Sequence, residues 1–309
     1  MGVSFNNRTL NASFSLLTAL TDDLQIVQGM PYVFIAEGVL IITINFGLVL
    51  FIALRKNVRK NPKNIILASL FSSHCFVGML CCSLPSNHHH NEAVKGPSID
   101  YGSAIMLASF CNLMLVTLDR FLAIQFPMLY SRLTTHMLIL ALFIVWLIPV
   151  MFLLATLAIQ LSRLAFVIIT FSSMVILLLN NILIYGIAKK QVKNIKSVLI
   201  QTTDRKNTNK INRQSASHHR AFFICAAMVL SYIIAWLPAT IYVLYDSLVE
   251  ENKVSNVYLN LIVFLAFANS ISDPIIYTWF NRKLKKKLKQ FVQEGRGRAQ
   301  TQMSFLENS

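Results

Sequence analysis

The chain has 309 residues, of which 55% are hydrophobic and only 13% charged, and its mean hydropathy is +0.57. A soluble domain runs at roughly 45–50% apolar and about 25% charged, so a soluble enzyme, a disordered chain and a secreted disulfide scaffold are all disfavoured. The 28 Lys+Arg against 13 Asp+Glu, a net +15, would suggest nucleic acid in a soluble protein. Here the basic residues fall in short clusters between long apolar runs, the pattern of a membrane protein, and no nucleic-acid partner is expected.

Residues 1–30 are polar and lack the basic-then-apolar order of a secretory signal. Two N-glycosylation sequons lie there, at Asn7-Arg8-Thr9 and Asn11-Ala12-Ser13. A bilayer-crossing helix needs about 20 mostly apolar residues. Seven runs qualify: roughly Pro31–Leu54, Asn64–Pro85, Ser98–Ile124, Met137–Ala158, Leu164–Ala188, Ala221–Tyr245 and Val254–Trp279. Met137 to Ala188 is too long for one span, so a turn is expected near Gln160-Leu161-Ser162-Arg163. After the seventh run, the lysines of Lys283–Lys289 are interrupted by Leu284 and Leu288, which share a helical face. That reads as an amphipathic helix on the anionic inner leaflet. The expected fold is all-α: an N-terminal segment (1–30), a seven-transmembrane bundle (31–279), an amphipathic eighth helix (280–291) and a tail (292–309).

Of the 28 basic residues, 24 fall on one alternating set of connecting segments and four on the other. The positive-inside rule makes the richer side cytoplasmic. The chain then sits as a multi-pass plasma-membrane protein with its N-terminus outside, on the side of the sequons. The connection from Lys189 to Arg220 reads as a mobile basic loop open to a cytoplasmic partner. No cysteine follows the eighth helix, so palmitoylation is not expected there. Cys75, Cys81, Cys82, Cys111 and Cys225 all lie in spans and read as free, buried thiols. His88-His89-His90 could hold zinc or copper or simply be solvated. No nucleophile constellation or zinc-spaced His/Asp set occurs, so neither enzymatic chemistry nor a metal or cofactor is expected.

Span three ends Leu118-Asp119-Arg120-Phe121-Leu122-Ala123-Ile124, followed by Pro127 and Tyr130. Span six carries Trp236-Leu237-Pro238, and span seven carries Asn269-Ser270-Ile271-Ser272-Asp273-Pro274-Ile275-Ile276-Tyr277. With Phe280-Asn281-Arg282-Lys283 following, this order over residues 31–291 resembles the rhodopsin-like G-protein-coupled receptors. The resemblance implies that Arg120, beside Asp119, faces a G-protein site when the helices open. It implies that Trp236 and Pro238 form a toggle and hinge in span six, since proline removes a backbone hydrogen bond. Tyr185 and Tyr277 match two tyrosines that approach the arginine in the active state. Each also has a plainer reading, as an interfacial anchor or packed aromatic.

The departures are informative. His74 falls where the family has an aspartate in span two, and Asp273 where span seven usually has asparagine. With Asn45, Ser109, Asn269 and Ser270, these positions in the family surround a sodium ion and ordered water. His74 and Asp273 are therefore expected to face each other and hydrogen-bond. The pair reads either as a fixed polar contact or, because histidine titrates near neutrality, as a pH-sensitive one. Lys95 stands where the family's span-three cysteine would be, Leu177 where span five has proline, and His218 where many members have an acid that locks the arginine. The short second external loop, the missing bridge and Asp273-Pro274 are distantly similar to the melanocortin branch, although the acidic cluster of that branch is not evident.

By position, the resemblance places an outer ligand cavity among Gly102, Ser103, Met106, Trp236, Ala239, Thr240, Val243, Leu259, Val263 and Phe267. Gly102 replaces the aspartate that pairs with biogenic amines, and no lysine in span seven could form a retinal Schiff base. A small neutral or lipophilic ligand is the preferred expectation. A basic peptide meeting Asp246, Glu250 and Glu251 is the runner-up, and these acids also read as an ordinary solvated loop. Glu37 could line the cavity or snorkel. The expected function is transduction of an extracellular signal to a heterotrimeric G protein by outward movement of helix six. The alternative is a non-signalling heptahelical transporter or pump, for which Glu37, His74 and Asp273 make no obvious relay.

Overall fold

The structure, a computed structural model, describes residues 30–83, 95–132, 135–159, 163–201, 205–248, 256–281, 284–291 and 293–294; within the helices, some side chains, chiefly at 95–103 and 191–219, lie outside that description. Spans one to seven are the helices Met30–Leu54, Pro62–Ser83, Lys95–Gln125, Thr135–Ile159, Arg163–Gln201, Arg205–Leu248 and Asn256–Phe280. Each holds a stretch long and apolar enough to cross a membrane. The sequons at Asn7 and Asn11, His88–His90, most of the expected span-four turn and the tail from 295 lie outside the described residues.

One expectation is corrected. The basic segment between spans five and six is helical up to Gln201 and again from Arg205, instead of a loop from Lys189 to Arg220. The reason is local: residues 189–201 and 205–220 contain no proline or glycine and are rich in lysine, arginine and glutamine, which propagate a helix at low cost.

Polarity runs inside out. Leu140, Phe143, Ile168 and Leu183 face outward, each more than half exposed, while Asn45, Ser73, His74, Asn112, Thr117 and Asp273 are fully buried. Lipid tails are as apolar as leucine, so helix association rests on close packing and interhelical hydrogen bonds. Span one packs on spans two and seven, and span six joins spans five and seven. Span three touches spans two, four, five and six, which puts the Asp119-Arg120 pair on the central helix.

Spans one and two cross at two glycines. A Cβ on Gly78 would lie 2.9 Å from the Gly38 carbonyl oxygen and 2.8 Å from Ile42 Cγ1. A Cβ on Gly38 would lie 2.7 Å from the Gly78 carbonyl oxygen. The backbones meet because neither residue has a side chain. Gly78→Val should therefore lower stability by about 1–3 kcal/mol through overpacking. Gly47→Ala, where an added Cβ meets nothing within 4 Å, should not. Thermal unfolding in detergent compares the two, and equal midpoints would refute the crossing.

Beyond span seven a helix covers 284–291. The shared face expected for its leucines is present: Leu284 is buried and Leu288 and Phe291 pack on the core. Phe291 meets Phe51 at 5.4 Å, Arg55 sits 5.0 Å over the Phe291 ring and pairs with Glu294, and Lys287 donates to the Asn57 carbonyl at 3.3 Å. The helix is thus tied back to the end of span one.

Candidate functional site

The middle of the bundle is organised by a proline. Pro274 has no N–H, so the Ser270 carbonyl one turn earlier loses its helical donor. Asn45 of span one supplies one: its Nδ2 donates to Ser270 O at 2.9 Å and to Ile41 O at 2.9 Å. Ser109, Asn269 and Ser270 are buried around the same level. His74 and Asp273 do face each other, both fully buried, with Nε2 and Oδ2 3.6 Å apart. That is an ion-pair distance and too long for the hydrogen bond expected from the sequence. Neither ring nitrogen and neither carboxylate oxygen has a hydrogen-bond partner among the described residues. The spacing of spans two and seven holds the groups at contact without joining them.

At the basic end, Arg120 Nη2 lies 3.3 Å from Asp119 Oδ2, with both side chains nearly buried. Tyr130 donates to Asp119 Oδ1 at 2.8 Å. It sits on a short helix, Pro127–Ser131, started by Pro127, which proline's fixed φ suits. Burial and then the neighbouring Asp119 carboxylate push the Tyr130 phenol well above its ordinary range, so it stays a donor. A cavity of about 270 Å³ opens beside Arg120, walled by Arg220, Cys225, Tyr277, Asn281 and Lys287 among others. Tyr277 is buried at this wall. Tyr185 is half exposed and stacks with Phe222 of span six at 5.3 Å.

Span six is held at one level on both sides. Ser173 of span five and Tyr232 share a hydrogen bond of 3.2 Å. The neighbouring Ser231 donates to Asn269 Oδ1 at 3.3 Å and meets Ser272 of span seven. Tyr232 lies 6.2 Å from the Trp236 ring and 6.1 Å from Phe110, about one turn from Trp236. Trp236, Tyr232 and Ala239 belong to the main core. Ser173, Ser231, Tyr232 and Ser272 were not singled out in the sequence. Nor were Ser69, Asn112 and Trp146, where Trp146 Nε1 donates to Ser69 Oγ at 2.8 Å and Ser69 to Asn112 Oδ1 at 2.6 Å. Polar residues in apolar helices were the available signal; their pairing across helices was not.

Of the expected ligand wall, Trp236, Ala239, Thr240, Val263 and Phe267 are buried and Met106 is partly so. Thr240 Oγ1 is turned back onto the Trp236 carbonyl at 2.9 Å. Val263 and Phe267 pack in an outer cluster with Phe34, Ile41 and Val77. The surroundings of Gly102 and the side chains of Ser103, Val243 and Leu259 lie outside that description. Met106, Trp236, Tyr232 and Ser173 line a space of about 30 Å³, roughly water-sized. Glu37 does not snorkel: it is buried against span two, with Oε2 3.8 Å from Cys81 Sγ. The five cysteines are free, as expected, although Cys75 and Cys82 are only partly buried.

This arrangement agrees with comparison to known proteins. Residues 45–165 and 158–277 match the model of the 7 transmembrane receptor (rhodopsin family). The chain belongs to that family, and its function class is that of a G-protein-coupled receptor, a multi-pass plasma-membrane protein and not an enzyme. It is similar to the human histamine H2 receptor (Homo sapiens), 24% identical over 287 residues, covering 81% of this chain and 76% of that one. It is also similar to the trace amine-associated receptor 7a of Rattus norvegicus, 29% identical over 109 residues, covering 35% of this chain and 30% of that receptor. A third relative is the 5-hydroxytryptamine receptor 1F of Cavia porcellus, 34% identical over 62 residues, covering 20% of this chain and 17% of that receptor.

Proposed function

We propose that this receptor lies with its N-terminus outside and responds to a small neutral or lipophilic molecule received among the outer ends of spans three, six and seven. The basic end then faces a heterotrimeric G protein. One observation carries the reading: Arg120 is paired with Asp119 of its own helix and borders a cavity walled by residues of spans six and seven. Among the described residues the ion pair of Arg120 is with Asp119 of its own helix, so no ion pair to another span has to break there before a G protein reaches it. The ligand shifts the population towards a state whose span six has moved outward. Pro238 supplies the break about which the inner half swings, and Trp236 reports occupancy of the apolar wall to it. Tyr185 and Tyr277 then close on the side of Arg120. His74 and Asp273, with Asn45, Ser109, Asn269 and Ser270, hold spans one, two, three and seven as the fixed half of the bundle.

The relatives named for histamine, trace amines and 5-hydroxytryptamine support a small-molecule ligand. Gly102, at the span-three position of the amine-pairing aspartate, favours a neutral one. Nucleotide exchange on a panel of G proteins tests this, in membranes expressing the chain, first alone and then with a chemical library. No exchange on any member of the panel would overturn it.

Outward movement of span six must break the Ser173–Tyr232 bond. A neutral hydrogen bond contributes about 0.5–1.5 kcal/mol, so Tyr232→Phe should raise basal exchange by roughly 2- to 10-fold. Ser173→Ala should do the same, and the double variant should go no further than either single one, because both remove one bond. Additive effects would show that the two residues act separately.

A further inference from the structure

A groove of about 710 Å³ runs along the outer faces of spans two, three and four at the basic end of the bundle. Its floor is apolar, with Leu115, Leu118, Leu122 and Leu138 among the lining residues, and its mouth carries Arg59 and Lys60. Leu118 is more than a third exposed and Met137, at the rim, more than half, so the floor faces the lipid-contacting surface. The volume falls in the range of small-molecule sites, about 300–1,000 Å³. We propose that this groove binds one anionic phospholipid of the cytoplasmic leaflet, with its headgroup on Arg59 and Lys60 and an acyl chain along the leucine floor.

The charge argument selects the occupant. Two adjacent cations stand at the mouth, both exposed, with Arg59 also donating to the Ala53 carbonyl at 3.3 Å. The acid in the lining is Asp119, which is buried and already engaged by Arg120 and Tyr130. A sterol would fill the floor and leave the mouth unmatched, and a zwitterionic lipid would bring, with its phosphate, a further cation beside Arg59 and Lys60. A long apolar trough ending at a cationic rim fits a molecule that is apolar along its length and negative at one end. The groove also places its guest on a functional element, since Tyr130 and Asp119 form part of its wall. A bound chain braces the helix Pro127–Ser131 against the Asp119–Arg120 pair. Occupancy of the groove therefore bears on coupling as well as on stability.

The inference rests on the orientation proposed above for its leaflet, and the test separates the two. The full chain is placed in symmetric nanodiscs of phosphatidylcholine with and without phosphatidylserine, and the lipids retained on release are identified by native mass spectrometry. Symmetric discs offer the same lipid to both ends, so the result does not depend on orientation, which glycan mapping at Asn7 and Asn11 reads separately. Wild type should retain one phosphatidylserine in several-fold preference over phosphatidylcholine. R59Q/K60Q should lose that preference, whereas K189Q/K190Q, an equal loss of charge at the exposed end of span five, should keep it. Leu118→Trp, which fills the floor without touching charge, should also abolish retention, and thermal unfolding establishes that each variant is folded. Equal preference in R59Q/K60Q and wild type would overturn the proposal. So would equal loss in both charge variants.

Discussion

Arg120→Ala is expected to remove at least about 90% of G-protein nucleotide exchange while leaving the amount of receptor at the surface close to wild type. A tenfold loss corresponds to about 1.4 kcal/mol of lost coupling free energy, less than the 1.5–3 kcal/mol of a typical hydrogen bond to a charged group. Surface expression should survive because Asp119, although it loses its ion pair with Arg120, keeps a second partner. Asp119 keeps the Tyr130 bond at 2.8 Å, and Arg120 stands at the end of span three beside an open cavity. Arg120→Lys should fall between the two, since lysine keeps the charge but lacks the planar fork of five donors. Exchange assayed alongside surface labelling separates the outcomes. Full exchange in the alanine variant would move the coupling site elsewhere, and joint loss of exchange and expression would make Arg120 structural.

The second large effect concerns His74 and Asp273. Asp273→Asn exchanges the group that faces His74 at 3.6 Å, and His74→Asp sets two carboxyl groups together. An ill-matched buried polar group costs about 1–3 kcal/mol. His74→Asp and Asp273→Asn should each lower the unfolding temperature in detergent. The reciprocal double variant, which moves the acid back to span two, should recover most of the loss. A coupling within roughly 0.5–3 kcal/mol is expected for groups in direct contact, and simple additivity would show that they do not interact. Both groups are wholly buried, so they act as a fixed contact and basal exchange should be flat between about pH 6 and 8. A slope present in wild type and absent in His74→Asp would instead make the pair a pH sensor.

Much of this was readable in advance. Hydropathy marked the apolar stretch of all seven spans to within about six residues, although not the helix ends between spans five and six, because a lipid-crossing helix must satisfy every backbone group internally and keep an apolar exterior. The Asp119-Arg120 pair and the leucine face of the eighth helix were also legible, since each depends on neighbours in sequence. His74 and Asp273 could be matched only through the family's pattern, and their separation could not. The Gly38–Gly78 crossing gave no periodic signal, because two glycines in apolar helices look like ordinary membrane composition.

By itself, the sequence determined which segments enter the membrane and which end of the bundle is basic, because those properties are summed along a single helix. Only the tertiary structure decided which polar residue meets which: Asn45 with the carbonyl freed by Pro274, Tyr232 with Ser173, His74 held just out of hydrogen-bond reach of Asp273. In a bilayer the outer surface carries little information, since lipid accepts almost any apolar side chain. The specificity lies in interhelical contacts such as that of Asn45 with Ser270, 225 positions apart. No local pattern encodes such a distance; it is set by how closely two backbones can approach.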